Sequence, residues 1–246
     1  MTEKSRRSRL RSQHAEIIAA RKFFLLFIFL LSSLIFYPYT EGHGSRYYLF
    51  RFLGSAVVLL SVYAVSFRRG LMLVAALLAV PAFLGRAILI EFDATALSVV
   101  RISLSLVFDI FIVVIIFRRV FSHQKPNAET VFGALCVYLL VGFGFTSIYG
   151  LISSFDPYAF HLDPATNLHT VPDRFDFIYY SFGTISSLGA AGITPVSGEA
   201  RSLTVIEGIL GVLYLAVLIS RLMGAYRAQT APFSLSEKEP PLKAEH

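Results

Sequence analysis

The sequence predicts an all-α membrane protein with six transmembrane helices and, between helices five and six, a short re-entrant helix followed by a loop. Three observations predict it. Of the 246 residues, 55% are hydrophobic and 15% charged, where a soluble domain carries roughly 25% charged residues. Six apolar runs recur along the chain, each approaching the ~20 residues that a helix needs to cross a bilayer. Between the last two runs lies DFIYYSFGTISSLGAAGITP, too short and too rich in small residues to cross.

The same composition excludes several functions. Six spans leave no room for a separate soluble domain. The net charge of +6 is concentrated at the N-terminus, not spread over a face that nucleic acid could occupy, so no nucleic-acid partner is expected. Cys136 is the single cysteine and sits in an apolar run, which rules out a disulfide framework within one chain and reads as a small buried hydrophobe. There is no paired-histidine zinc motif, no phosphate-cradling glycine loop and no nucleophile with an evident base, so neither an enzyme nor a cofactor is expected.

Taken in order, residues 1–22 form a basic segment holding Lys4, Arg6, Arg7, Arg9, Arg11, Arg21 and Lys22. The apolar run 23–37 follows without a small-x-small cleavage site, which predicts a retained first span. The second run, 48–67, ends at Arg68-Arg69-Gly70, a tight helical hairpin. The third, 71–90, contains Pro81, which removes one helical hydrogen bond and should bend the helix. The fourth covers 96–117 and closes on Arg118-Arg119; the fifth runs from near Thr130 to Ser153. Residues 154–175 read as a hydrophilic loop with Pro157, Pro164 and Pro172. The sixth span covers 203–222, and the tail 228–246 has the composition of a disordered segment. With both termini inside, 16 of the 22 Lys and Arg fall on inner segments, which places both termini in the cytoplasm.

Arg101 and Asp109 lie within the fourth span. A voltage sensor needs several arginines spaced by three, and this span has one, so residues 23–120 read as a four-helix peripheral domain without voltage-sensing charge.

Non-helical backbone at membrane depth is tolerated only where protein or a water-filled cavity covers it, so the turn after the short helix should line something wet. Asp173 or Asp176 suits the positive N-terminal end of that helix, while its C-terminal end, near Ser186, points partial negative charge toward the bilayer centre. Four such ends converging on one axis would hold a cation.

DFIYYSFGTISSLGAAGITPVSGEARSL and the following VIEGILGVLYLAVLISRLMGAY, together with ETVFGALCVYLLVGFGFTSIYGLI and FDPYAF ahead of them, resemble the pore region of bacterial six-transmembrane potassium-channel-like proteins, which are tetrameric cation channels. The resemblance covers residues 129–227 and is most specific at Thr184, Gly189, Ile193-Thr194-Pro195 and Arg201. It implies a pore domain over 126–227 with a pore helix and a filter loop, passive conduction of K+ or Na+, and a homotetramer surrounded by the lipids of the plasma (inner) membrane. One pore segment per chain requires several copies. The ion path implied by the resemblance runs along Thr184, Ser186, Ser187, Leu188, Gly189, Ala190, Ala191 and Gly192.

Within that path the chain departs from the family's T-V-G-Y-G-D, which here reads Ser187, Leu188, Gly189, Ala190, Ala191, Gly192. Ala191 stands in place of the second glycine, at a cost of ~1–2 kcal/mol if it adopts a left-handed conformation; alternatively Gly189 and Gly192 share the special angles in an altered loop. Ala190 lacks the ring that braces the family's filter, and Gly192 lacks the outer carboxylate that gathers cations. A wider or floppier constriction with weakened potassium selectivity is therefore expected.

Glu207 lies about five residues into the sixth span, and an intramembrane carboxylate requires a partner. Either it supports the filter, hydrogen-bonding the back of the loop as a brace or a proton-sensitive site, or it is an acid satisfied near the membrane surface. Gly208 and Gly211 give the inner helix a gating hinge, or close packing of helices. His161, His169 and Asp163 in the outer loop are expected to be solvated, with metal binding or pH sensing as the alternative. For the whole protein, the alternative to conduction is a pore-fold scaffold or sensor that does not conduct.

Overall fold

The computed structural model describes residues 21–36, 45–66, 69–87, 95–122, 128–167 and 169–230. Helices stand at all six apolar runs: α1 over 21–36, α2 Ser45–Val65, α3 Arg69–Ala87, α4 Thr95–Ser122, α5 Ala128–Phe155 and α7 Gly198–Thr230. Between the last two lie strand β1 (Phe160–Leu162), the short helix α6 (Arg174–Ile185) and strand β2 (Ile193–Pro195). Most of the expected basic segment 1–22 and of the tail 228–246 lies outside the described residues. Among the described residues, three helices are long and apolar enough to cross a membrane: Ala96–Ser122, Glu129–Phe155 and Gly198–Arg221. Gly54–Val65 and Gly70–Phe83 are shorter apolar stretches.

Leu, Val, Ile and Phe fill these helices nearly all round, as they must where lipid and protein are equally apolar neighbours. Pro81 sits inside α3 without ending it. Helix α5 is central, packing against α4, α6 and α7. One apolar core joins α1 to α5 and includes Phe23, Leu26, Phe108, Ile112, Ile116 and Val137.

One pole of the bundle collects basic groups. Lys22 donates to the Ser66 hydroxyl (2.8 Å) and lies over the Tyr63 ring. At the end of α4, Arg119 pairs with Glu129 in the first turn of α5 (2.5 Å), and the guanidinium of Arg221 lies over Phe121. Glu129 is buried, so this pair ties the end of α4 to the start of α5 from within. In the middle of α4, Asp109 is buried and borders a small cavity shared with Ser33, Gly54, Phe143 and Arg174. Arg174, the first residue of α6, thereby shares a cavity with residues of α1, α2 and α4.

The opposite pole holds a feature that the sequence reading assigned to loop. β1 and β2 pair antiparallel, with Phe160 opposite Pro195, His161 opposite Thr194 and Leu162 opposite Ile193. Three residues per strand give too short an alternation to register as period two. Phe160 and Leu162 point into a second core with Tyr149, Phe177, Tyr180 and Ile193, while His161 is exposed. Phe160 meets Tyr149, Phe177 and Tyr180 edge-on at 5.5, 5.0 and 5.5 Å between ring centres, the arrangement aromatic quadrupoles favour.

Candidate functional site

Helix α6 starts at a capping box. The Asp173 carboxylate accepts from the amides of Phe175 (2.7 Å) and Asp176 (3.1 Å), and Asp176 accepts in return from the Asp173 amide (2.7 Å). Both acids singled out in the sequence thus serve the helix start, one as cap and one as its reciprocal partner. His169 Nε2 lies 2.8 Å from Asp176. The three side chains His169, Asp173 and Asp176 have ligand atoms within 4.8 Å of one another, and the two carboxylates are engaged as caps. The structure therefore places His169 with Asp176 and not with Asp163.

Inside the protein, α6 is held by hydroxyls. Ser181 is fully buried; its Oγ lies 2.7 Å from the Gly142 carbonyl of α5 and 2.5 Å from Glu207 Oε1 of α7. Tyr149 of α5 donates to Glu207 Oε2 (2.6 Å), and the hydroxyls of Tyr180 and Thr204 meet at 2.7 Å. Glu207 is 0% exposed, with both oxygens engaged by the hydroxyls of Ser181 and Tyr149. Its partners lie on α5 and on the middle of α6, one turn before the end of that helix and not on the turn that follows it.

The end of α6 packs on α7. A Cβ at Gly211 would lie 2.1 Å from the Ile185 carbonyl oxygen, whereas one at Gly208 would meet Thr184 only at 4.0 Å. Gly211 is glycine because the α7 backbone rests on the last carbonyl of α6. That carbonyl also accepts from the Tyr138 hydroxyl (3.1 Å).

The turn that follows bends back onto its own helix. Ser187 has φ 59°, Gly189 φ 80° and Gly192 φ 86°. Ala191 does not take the left-handed conformation; the non-glycine residue that does is Ser187. The Ser187 amide donates to Thr184 O (3.0 Å), as in a left-handed helix stop, and the Gly189 amide, one residue further than that motif reaches, donates to Gly183 O (3.0 Å). The Thr184 hydroxyl donates to Tyr180 O (2.8 Å) and that of Ser186 to Phe182 O (2.5 Å). Leu188 stands at the apex, 87% exposed, with Ser187 and Gly189 exposed beside it, while Ala190 packs against the aromatic core.

Two residues that the sequence reading did not single out hold the outer end. Tyr179 accepts from the Ala191 amide (3.1 Å). The Gly192 carbonyl accepts from the Asp163 amide (2.9 Å) and from Asn167 Nδ2 (2.8 Å). Asn167 lies 25 residues from Gly192 in the chain, and nothing local marks it. Beyond the turn, Arg201 donates to the Pro195 carbonyl (3.1 Å).

The architecture is a buried short helix between two long ones, ending in a tight exposed turn. No curated protein and no solved structure matches the chain. A family model described as ion channel matches residues 134–228, so the stretch from the first third of α5 to the end of α7 is similar to an ion-channel domain.

Proposed function

We propose that the protein is a potassium-channel-like membrane ion channel in which four copies pass monovalent cations, K+ or Na+, with weakened potassium selectivity. The observation that carries this reading is the placement of α6. At 12 residues it is about 18 Å long, too short for a hydrocarbon core of roughly 30 Å, yet it lies between two helices each long and apolar enough to span. A turn at that depth needs a wet surface. The match of the same residues to an ion-channel family supports it.

Residues 23–120 form the peripheral domain and 126–227 the pore domain, with six spans in all. The filter segment is Thr184 and Ser186 to Gly192, and Glu207 supports it through α6; of the two roles open to Gly208 and Gly211, hinge or close packing, the Ile185 carbonyl against Gly211 favours packing at that position. Both termini face the cytoplasm of the plasma membrane, since Lys22, Arg119 and Arg221 share one pole. Weakened selectivity is supported by the apolar apex at Leu188 and by the engaged carbonyls of residues 182–185, which leave fewer oxygens to replace an ion's water.

The second reading, a non-conducting scaffold or sensor, is favoured by those same two features. Purified protein in planar bilayers separates the readings. Unitary cation currents with a reversal potential only slightly displaced by a K+/Na+ gradient are expected. Intact tetramers that pass no current would establish the scaffold instead, and a strong potassium preference would overturn the weakened selectivity.

A further inference from the structure

We propose that Asn167 and Tyr179 are positioning residues that clamp the outer end of the filter turn, and that Gly192 is the anchor of this clamp with its carbonyl withdrawn from the ion path. The inference rests on the conduction reading for its functional meaning but on hydrogen-bond geometry for its content.

A carbonyl oxygen has two lone pairs. At Gly192 both have donors, the Asp163 amide at 2.9 Å and Asn167 Nδ2 at 2.8 Å. The first of these bonds continues the β1–β2 ladder one residue past the Leu162–Ile193 pair, so the filter turn is tied into the outer sheet. The second comes from a side chain that is itself fixed, because Asn167 Nδ2 also donates to the Asp163 carbonyl (3.0 Å). That carbonyl receives the Thr166 and Asn167 amides as well, closing 163–167 into a compact turn. The outer loop presses on the backbone: a Cβ at residue 192 would lie 2.4 Å from Thr166 Oγ1 and 3.0 Å from Asn167 Nδ2. With φ at +86°, only glycine suits this position on both counts.

One residue earlier, the Ala191 amide is taken by Tyr179 from α6. Adjacent residues are therefore tied to two different bodies, Gly192 to the outer loop and Ala191 to the pore helix. The bracing that Ala190 and Ala191 lack as side chains is delivered to their backbone from outside the turn. Both donors belong to the outer loop, so the Gly192 oxygen is directed into that loop and the row of carbonyls offered to an ion ends at Ala191. Losing the outermost ring of oxygens reduces discrimination between ions of different size.

The clamp is tested with Tyr179→Phe, which removes one hydroxyl from a partly exposed ring, and Asn167→Asp, which keeps the shape and removes the donor. Two measurements are made on the full-length assembled protein. Exchange of the Ala191 amide, followed by NMR on protein labelled with 15N-alanine, should accelerate about tenfold in Tyr179→Phe, the scale of one lost hydrogen bond. In bilayers, Asn167→Asp should move the K+/Na+ reversal potential from the wild-type value without changing the oligomer. Unchanged Ala191 exchange in Tyr179→Phe, or a wild-type reversal potential in Asn167→Asp, would overturn the clamp. A wild type that passes no current would overturn the conduction reading, and the amide exchange would still decide the clamp.

Discussion

Helices α5 and α7 flank the same short helix and look alike in sequence: both long, both apolar, both with glycines near the middle. Their surroundings differ. Over its apolar stretch α5 is 56% buried within the chain and α7 only 17%. Helix α5 meets α4 on one side and α6 on the other, whereas α7 buries Glu207, Gly211 and Leu218 and leaves Val205, Ile209, Leu213 and Val217 exposed. In a membrane, hydropathy alone does not distinguish a face that meets lipid from one that meets another copy. The difference says which helix the single chain completes. Within the buried stripe of α7, Glu207 and Gly211 grip α6 and Leu218 joins the core of the other helices; the remainder is uncovered by this chain.

The comparison can be broken at the grip, and the largest effect is expected at Gly211. An added methyl there meets the Ile185 carbonyl oxygen at 2.1 Å, and neither backbone can yield without separating α7 from α6. Gly211→Ala should cost about 3 kcal/mol per chain, read as loss of assembly and of current, while Gly208→Ala, with open space to 4.0 Å, should be nearly silent. Equal effects of the two substitutions would show that α7 does not rest on α6 in this way and would favour Gly208 and Gly211 as a hinge pair.

Next in size is Glu207. Its removal leaves the Tyr149 hydroxyl without its acceptor and strips one partner from buried Ser181. Glu207→Ala should lower stability by roughly 2–3 kcal/mol, measured by thermal unfolding in detergent, and Glu207→Gln, which keeps one acceptor, by about 1 kcal/mol. A Glu207→Ala protein as stable as wild type would detach the three-helix junction from this account.

At the exposed turn the expected effect is on conduction and not on stability. Leu188 has almost no neighbours within its own chain, so Leu188→Ser should leave the melting temperature unchanged. If the apex faces the path, a wetter constriction should raise unitary conductance about threefold. An unchanged conductance with unchanged stability would place Leu188 away from the ion route.

Much of this organisation was legible in the sequence, and the omissions have a common cause. All six apolar runs became helices, since uninterrupted Leu, Val, Ile and Phe between polar breaks is a strong signal at helical lengths. Asp173 and Asp176 were legible as the start of α6 because capping is local. Glu207 was legible as a residue in need of partners, because an unpaired carboxylate in a membrane is costly; Tyr149 and Ser181 were not, lying 58 and 26 residues away. Tyr179 and Asn167 escaped for the same reason. Each acts on a backbone amide or carbonyl, and a backbone partner leaves no residue type to match. The turn illustrates both sides: its glycines announced left-handed angles, but that Ser187 takes one and Ala191 does not follows from where the helix stops.

The central claim is that the exposed faces of α7 are closed by other copies around a hydrated axis. The mass of the protein in lipid nanodiscs, with the lipid contribution subtracted, tests it most directly. Four copies of the 27.3 kDa chain are predicted, persisting on dilution; a single copy with its turn packed in lipid would contradict the account.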